Sequence, residues 1–365
     1  MIDSPDARLR EIVPAVASAL GRPLRAQPAW SLPEADSYVV ALVDGMGELL
    51  LRAHPQEAPF LNSLDHRPAW CEIPSTTATS LTSLGTGLAP ASHGVAGYTA
   101  RIPGTNRLLN ALAWDKDVDP EAWQPLPTAF EQLAAAGVAV SSVGPKDYAA
   151  SGLTRVSQRG AAYRPADKFG ERVAQTLDAA RRSPSLTYVY DGDLDWIGHR
   201  HGVDSPQWRA QLRLIDASLE QLRAALPSSV RLLVTADHGM VDIPGYRKFD
   251  VDSAPVLRQG VTLIGGEARL RYLYCEPDLA DNVARRWRSE VSADDACVLT
   301  FGEAQEEGWF GPTDDRVRPR FGDVVVASLR DFAVMSSVDN PHEFKLVGCH
   351  GSITEVETRV PLLIS

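Results

Sequence analysis

The chain has 365 residues, 44% hydrophobic and 23% charged, enough to bury a sizeable core as one large domain or two ordinary ones. Its net charge of −11 argues against a sequence-independent nucleic-acid binder, which needs basic patches to displace counterions, but not against a small anionic substrate beside a bound metal. No run approaches the roughly 18 apolar residues of a membrane helix, and the four cysteines are too scattered for a disulfide framework or a cysteine zinc site.

The N-terminal "MIDSPDARLREIVPAVASALG" carries charges at Asp3, Asp6, Arg8, Arg10 and Glu11 and lacks the apolar core of a signal peptide, so the chain as given reads as cytoplasmic. Strand-like apolar runs follow at 37–43, 137–144, 185–191, 230–237 and 359–365. Amphipathic helical patterns lie between them at 127–137, 167–182 and 206–226. This alternation predicts a three-layer α/β/α fold with a mostly parallel central sheet. Residues 243–340 differ, with several strand-like runs around one helical pattern, "DLADNVARRWRSEV". They predict a small α+β insert, with residues 1–242 and 341–365 forming the main domain. Two stretches of the insert, "PGYRKFDVDSAP" and "GPTDDRVRPRFG", are expected to be surface loops.

In open α/β sheets, ligands bind beyond the carboxyl ends of the strands. "VVALVDGMG" ends in Asp44. "YDGDLDWIGHRHG" carries Asp195 and, four residues on, His199. "LLVTADHGM" ends in Asp237 and His238, and "GCHGS" presents His350. Singly, each is ordinary: a strand-end aspartate usually caps a helix or shapes a loop, and a lone histidine usually packs. Together, three aspartates and three histidines would fill two sites of about three ligands for zinc or another borderline divalent metal. Two metals about 4 Å apart suit phosphoryl transfer, which then needs a nucleophile at the same edge. "STTATSL", residues 75–81, offers one. Helical periodicity starts near Thr77, with Leu81, Leu84 and Leu88 on one side. A hydroxyl in a first helical turn meets the positive end of the dipole, so Ser75, Thr76 or Thr77 is either a cap or a nucleophile.

These motifs, with "PSTTATSLTSLGTGLAPASHG", occur in order over residues 38–351. The set resembles the type I phosphodiesterase/nucleotide pyrophosphatase family of the alkaline phosphatase superfamily. The resemblance implies hydrolysis of phosphodiester or nucleotide pyrophosphate bonds at a two-zinc site, through a covalent phospho-threonine. Counting nine residues back from Thr86 of "TGL" makes the nucleophile Thr77. Asp44, Asp237 and His238 would share one zinc with Thr77; Asp195, His199 and His350 would hold the other. Asp191 and Asp193 match the motif less well than Asp195. Manganese is the alternative metal. The implied substrate is a small phosphodiester or nucleotide-like molecule, with no polymeric nucleic acid and no membrane.

The chain departs from the family pattern in two places. The usual T-F-P-N-H is Thr77-Ala78-Thr79-Ser80-Leu81 here, and Tyr98 stands where a phosphate-binding Asn is expected after "HG". Tyr98, Asn110, Trp114, Lys146 and Tyr148 are therefore candidate substrate contacts. His93 and His201 lie in motif surroundings but off the ligand positions and are expected to be structural. A phosphomonoesterase on the same fold is the nearest rival, and the lack of an Arg after Thr77 favours diesters or pyrophosphates over it. A non-catalytic anion-binding homologue is the other rival; the complete ligand set opposes it.

Overall fold

The structure, a computed structural model, describes residues 7–25, 27, 28 and 30–365. Asp3 and Asp6 lie outside the described residues. The uncharged run Ser37–Val43 is buried along its whole length, as expected of a strand covered on both faces. It pairs in parallel with Ser185–Asp191 on one side and Val230–Thr235 on the other. These three are the centre of an eight-stranded sheet. From one edge the order is Ala7–Arg8, Asp65–Trp70, Arg359–Ile364, Val230–Thr235, Ser37–Val43, Ser185–Asp191, Ala139–Gly144 and Ala162–Pro165. Only Arg359–Ile364 runs against its neighbours.

Both faces are covered. Val189 meets Val173 of the helix Phe169–Ala179 and Ile215 of the helix Pro206–Ala225. One residue earlier on the same strand, Tyr188 points the other way and packs on Phe130 of the helix Ala129–Ala135, 6.2 Å between rings. The apolar runs and helical patterns of the sequence become these elements with boundaries shifted by at most three residues. The strands Asp65–Trp70 and Ala162–Pro165 were not expected. "DHRPAW" is polar and starts exposed, so it has no apolar run to betray it; its partner supplies the pairing.

A second, four-stranded antiparallel sheet lies within residues 243–340. Its order is Val261–Glu267, Leu270–Cys275, Val324–Ser328, Ala296–Thr300. The helix Ala280–Glu290 packs on one face through Val283 and Trp287; Phe310 and Phe321 cover the other with Tyr272. The two expected surface loops are more buried than their charge suggests. In the second, Val317, Arg320 and Phe321 are buried. The Arg320 guanidinium donates to the carbonyls of Gly94 and Trp123 and stacks 3.9 Å over the Trp123 ring. In the first, Val251 is buried and Lys248–Asp250 pairs in parallel with Ala333–Met335. Charged side chains with apolar stems and paired heads cover a core as well as apolar ones do. Among the described residues no helix is long and apolar enough to cross a membrane.

Candidate active site

Three adjacent strands deliver their ends to one edge. Asp44 follows Ser37–Val43, and Asp237 and His238 follow Val230–Thr235. Ser185–Asp191 turns at Gly192 into the helix Asp193–His201, whose i, i+4 spacing sets Asp195 and His199 on one face. His350 follows the short strand Gly348–Cys349, which pairs with Val241–Asp242. Gly45 makes the crowding possible: its φ is +73°, and a Cβ there would lie 3.1 Å from the Asp195 backbone.

The six side chains form two groups. In Asp44, Asp237 and His238, and again in Asp195, His199 and His350, one ligand atom from each residue lies within 4.8 Å of the others. His238 Nε2 is 3.3 Å from Asp44 Oδ1 and 3.5 Å from Asp237 Oδ2. His199 Nε2 is 3.3 Å from Asp195 Oδ2. The groups touch, because His238 and His350 stack with centroids 3.6 Å apart. Asp191 and Asp193 belong to neither: Asp191 pairs with Arg172 at 2.5 Å, and Asp193 lies 3.5 Å from the same guanidinium.

The hydrogen bonds fix the tautomers. Nδ1 of His199, His238 and His350 faces the carbonyls of Gly348 (2.8 Å), Gly239 (3.0 Å) and Ser75 (3.0 Å). A carbonyl only accepts, so each Nδ1 carries the proton and each Nε2 turns a lone pair into the site. His199 and His350 bring two such lone pairs within 3.2 Å. Asp44 Oδ1, Asp195 Oδ1 and Asp237 Oδ2 are buried with no hydrogen-bond partner. Burial and the nearby Asp237 and Asp195 push the Asp44 carboxyl well above the usual carboxylate range, and burial raises Asp237. Burial, then His238 and His199, holds His350 well below an ordinary imidazole. Orphaned carboxylate oxygens and facing lone pairs suit cations, and one divalent ion per group would satisfy them.

The helix Thr77–Thr86 opens against the first group. Ser75 bridges to Gly351, Thr76 is the extended N-cap, and Thr77 is the first helical residue. The Thr76 hydroxyl makes no capping bond among the described residues. Thr77 Oγ1 lies 3.4 Å from Asp44 Oδ2 and 3.2 Å from His238 Nε2. Neighbouring hydroxyls are committed elsewhere: Ser75 to the Ser352 carbonyl, Thr79 to Val95, Ser80 to Asp237, Thr82 to Ala78. Leu81 and Leu84 are buried as expected, but the helix ends at Thr86 with Gly87 left-handed, so Leu88 lies beyond it.

A cavity of about 570 Å³ opens beside Thr77, walled by Leu81, Tyr148, Tyr163, Tyr190 and Trp196 among others. Of the expected substrate contacts, Tyr148 is on this wall. Tyr98, Asn110, Trp114 and Lys146 are not. The Asn110 side-chain oxygen accepts from the Leu112 and Ala113 N–H groups and shapes a turn. Trp114 packs edge-on to Trp123. Lys146 is exposed, its Nζ 3.3 Å from Asp167. The Tyr98 carbonyl accepts from Ala111, and its side chain is half-buried. His93 is buried away from both groups, and His201 is exposed at the end of its helix. Two residues were missed. Tyr190 donates its hydroxyl to Asp44 Oδ2 in a short bond; its place at a strand end could have flagged it. Glu267, from the second sheet, reaches within 3.5 Å of His350 Nδ1, and nothing in the local sequence signals that.

The sheet, the paired acid and histidine groups and the helix-borne threonine define an alkaline-phosphatase-like α/β protein with two candidate metal sites. The family of type I phosphodiesterases and nucleotide pyrophosphatases matches over residues 38–353, and the chain belongs to it. Murine ectonucleotide pyrophosphatase/phosphodiesterase 5 superposes with a TM-score of 0.71, covering 89% of this chain and 87% of that one at 19% identity. An inactive variant of that murine protein, in complex with AMP, gives the same score over 90% and 87%. At that identity the likeness is one of fold. In sequence, human ectonucleotide pyrophosphatase/phosphodiesterase family member 7 is 35% identical over 63 residues, 16% of this chain and 14% of that protein. Phosphopentomutase of Shewanella pealeana is 28% identical over 169 residues, 46% of this chain and 40% of that enzyme. The chain thus spans less than half the length of the curated relatives it matches.

Proposed function

We propose that this protein is a zinc-dependent phosphodiesterase working through a phospho-Thr77 intermediate. The observation that carries this reading is Thr77 Oγ1, set at a helix N-terminus between Asp44 and His238. Asp44, Asp237 and His238 would hold one ion, and Asp195, His199 and His350 the other; mixed carboxylate and imidazole donors suit zinc, with manganese the alternative. When bound, the two ions supply charge neutralisation at the phosphoryl group and a lowered pKa at the Thr77 hydroxyl.

The chain's own groups do the rest. Asp44 Oδ2, held by the Tyr190 hydroxyl, lies where the Thr77 proton is directed. Thr77 Oγ1 then bonds to phosphorus as the bond to the leaving alkoxide breaks, and that alkoxide takes a proton from a water molecule. The N–H groups of the first helical turn face the developing phosphoryl charge. The hydroxide left by that water attacks from the opposite side, freeing a phosphomonoester and the Thr77 oxygen, which recovers its proton from Asp44.

The cavity beside Thr77 receives the organic group. Its one basic lining residue, Arg172, is already paired with Asp191, whereas Asp167 and Asp193 also line it. Among the described residues its lining offers a second phosphate no unpaired cation, which favours diesters with an uncharged organic group over pyrophosphates and over dianionic monoesters.

The test is a metal analysis with a substrate panel on wild type and Thr77→Ala. We expect two divalent ions per chain. Turnover of bis-p-nitrophenyl phosphate should exceed that of p-nitrophenyl phosphate and of nucleoside triphosphates. Thr77→Ala should cost at least about a thousandfold in kcat, as loss of a nucleophile does. Full metal content with no turnover would instead favour the anion-binding homologue.

A further inference from the structure

Glu267 is a buried acid that the mechanism above leaves without a task. It ends the strand Val261–Glu267, behind Gly266 at φ +79°, and is 9% exposed. The other charged residues of its hairpin are occupied. Arg269 holds Glu357 through two bonds of 3.0 and 2.6 Å, and Arg271 holds Glu343 and the Val334 carbonyl. Glu267 Oε1 is buried with no hydrogen-bond partner, while Oε2 lies 3.5 Å from His350 Nδ1. The side chain also lies flat against the next residue: a Cβ on Gly351 would fall 2.6 Å from Glu267 Cγ and Cδ. The Thr76 hydroxyl faces the same carboxyl. Glu267 therefore sits where two segments meet, Ser75 to Thr77 and Cys349 to Ser352, which pair through the Ser75–Gly351 bridge.

We propose that Glu267 is a positioning residue through which the second sheet orients both the His350 imidazole and the turn that carries Thr77. This rests on the reading of His350 as a metal ligand and Thr77 as the nucleophile. His350 Nδ1–H already donates to the Ser75 carbonyl, a backbone group of the nucleophile turn. The Glu267 carboxyl, 3.5 Å from the same Nδ1, links the second sheet to the ligand and through it to the nucleophile turn. A cation drawn to Nε2 makes Nδ1–H a stronger donor, so the contact tightens as the site fills. Outer partners of ligating histidines typically change metal affinity or activity by about 10- to 100-fold when removed.

The experiment loads the full chain with zinc and follows release of the ion to a chelator, with kcat and KM measured on the same samples. The proteins are wild type, Glu267→Gln, which keeps shape and volume, and Glu267→Ala. We expect Glu267→Gln to unfold cooperatively and to bind two ions, releasing one of them about tenfold faster. Its kcat should fall by a similar factor and KM by less than twofold, and Glu267→Ala should exaggerate both effects. Wild-type release rates and kcat in both variants, with or without a lower melting temperature, would overturn the proposal and leave the phosphodiesterase reading standing. A wild-type chain that holds no zinc would overturn both.

Discussion

Thr77 differs from its hydroxyl neighbours by what its oxygen faces. Ser75, Thr79, Ser80 and Thr82 spend their protons on carbonyls, and Thr77 is directed at a carboxylate and an imidazole. Its number comes from the family resemblance, through the count back from "TGL", whereas the local sequence leaves Ser75, Thr76 and Thr77 open. Glu267 was not legible, since it reaches the site from the second sheet, far away in sequence; Tyr190 stood at a strand end, and only its bond to Asp44 was hidden. His93 shows the same dependence on packing. Its Nε2–H donates to Ser83 and its Nδ1 accepts from Val95, so it is neutral and satisfied. Burial, with Arg320 and Arg316, brings its pKa down to about 3. An unfolded histidine titrates near 6.5. Between those values the unfolded chain takes up a proton that the folded one refuses, so stability falls as pH drops through that window, by up to about 1.4 kcal/mol per unit. His93→Gln keeps an acceptor and a donor without the titration. Urea midpoints from pH 4 to 6.5 should show a shallower fall for this variant; parallel curves would refute the assignment.

At the scale of elements, the site is a meeting of strand ends. Alternating apolar runs and helices made that edge readable, since a parallel sheet with crossover helices gathers its carboxyl ends on one side. What the pattern could not convey is how closely those ends approach. Gly45 passes against Asp195 in a left-handed conformation that a side chain resists. Gly45→Ala should cost about 1–2 kcal/mol in backbone strain and displace Asp195 as well. The check is urea unfolding beside metal content, with the Asp195 group expected to empty first. Unchanged stability and full occupancy would show that the loop yields without harm. The short strand Asp65–Trp70 escaped notice for a related reason: a polar segment becomes a strand because a partner offers it a ladder, not because of its own composition.

For the molecule as a whole, a buried ion pair ties the turn between Val261–Glu267 and Leu270–Cys275 to the short helix Glu355–Thr358 that leads into Arg359–Ile364. Arg269 and Glu357 are both fully enclosed, and Glu357 also accepts from the Ser352 N–H, two residues beyond His350. Nothing in the local sequence signals this pairing, because burial of a charge depends on a partner that lies far away in the chain. Removing one member leaves the other charged in the core. Arg269→Met should therefore cost about 3–5 kcal/mol, measured by chemical denaturation, and a loss below about 1 kcal/mol would show that water reaches Glu357.

The place of Arg359–Ile364 has a consequence for how the protein is made. Among the described strands it leaves the ribosome last, yet it lies inside the sheet, between Val230–Thr235 and Asp65–Trp70. Until it arrives, a nascent chain carries two unsatisfied strand edges, the kind of surface on which chains stick to one another. A product of interrupted translation would hold most of the acids and histidines and still lack a closed sheet. Activity therefore requires that this strand has been made, and the interval before it emerges is when the chain most needs protection by chaperones.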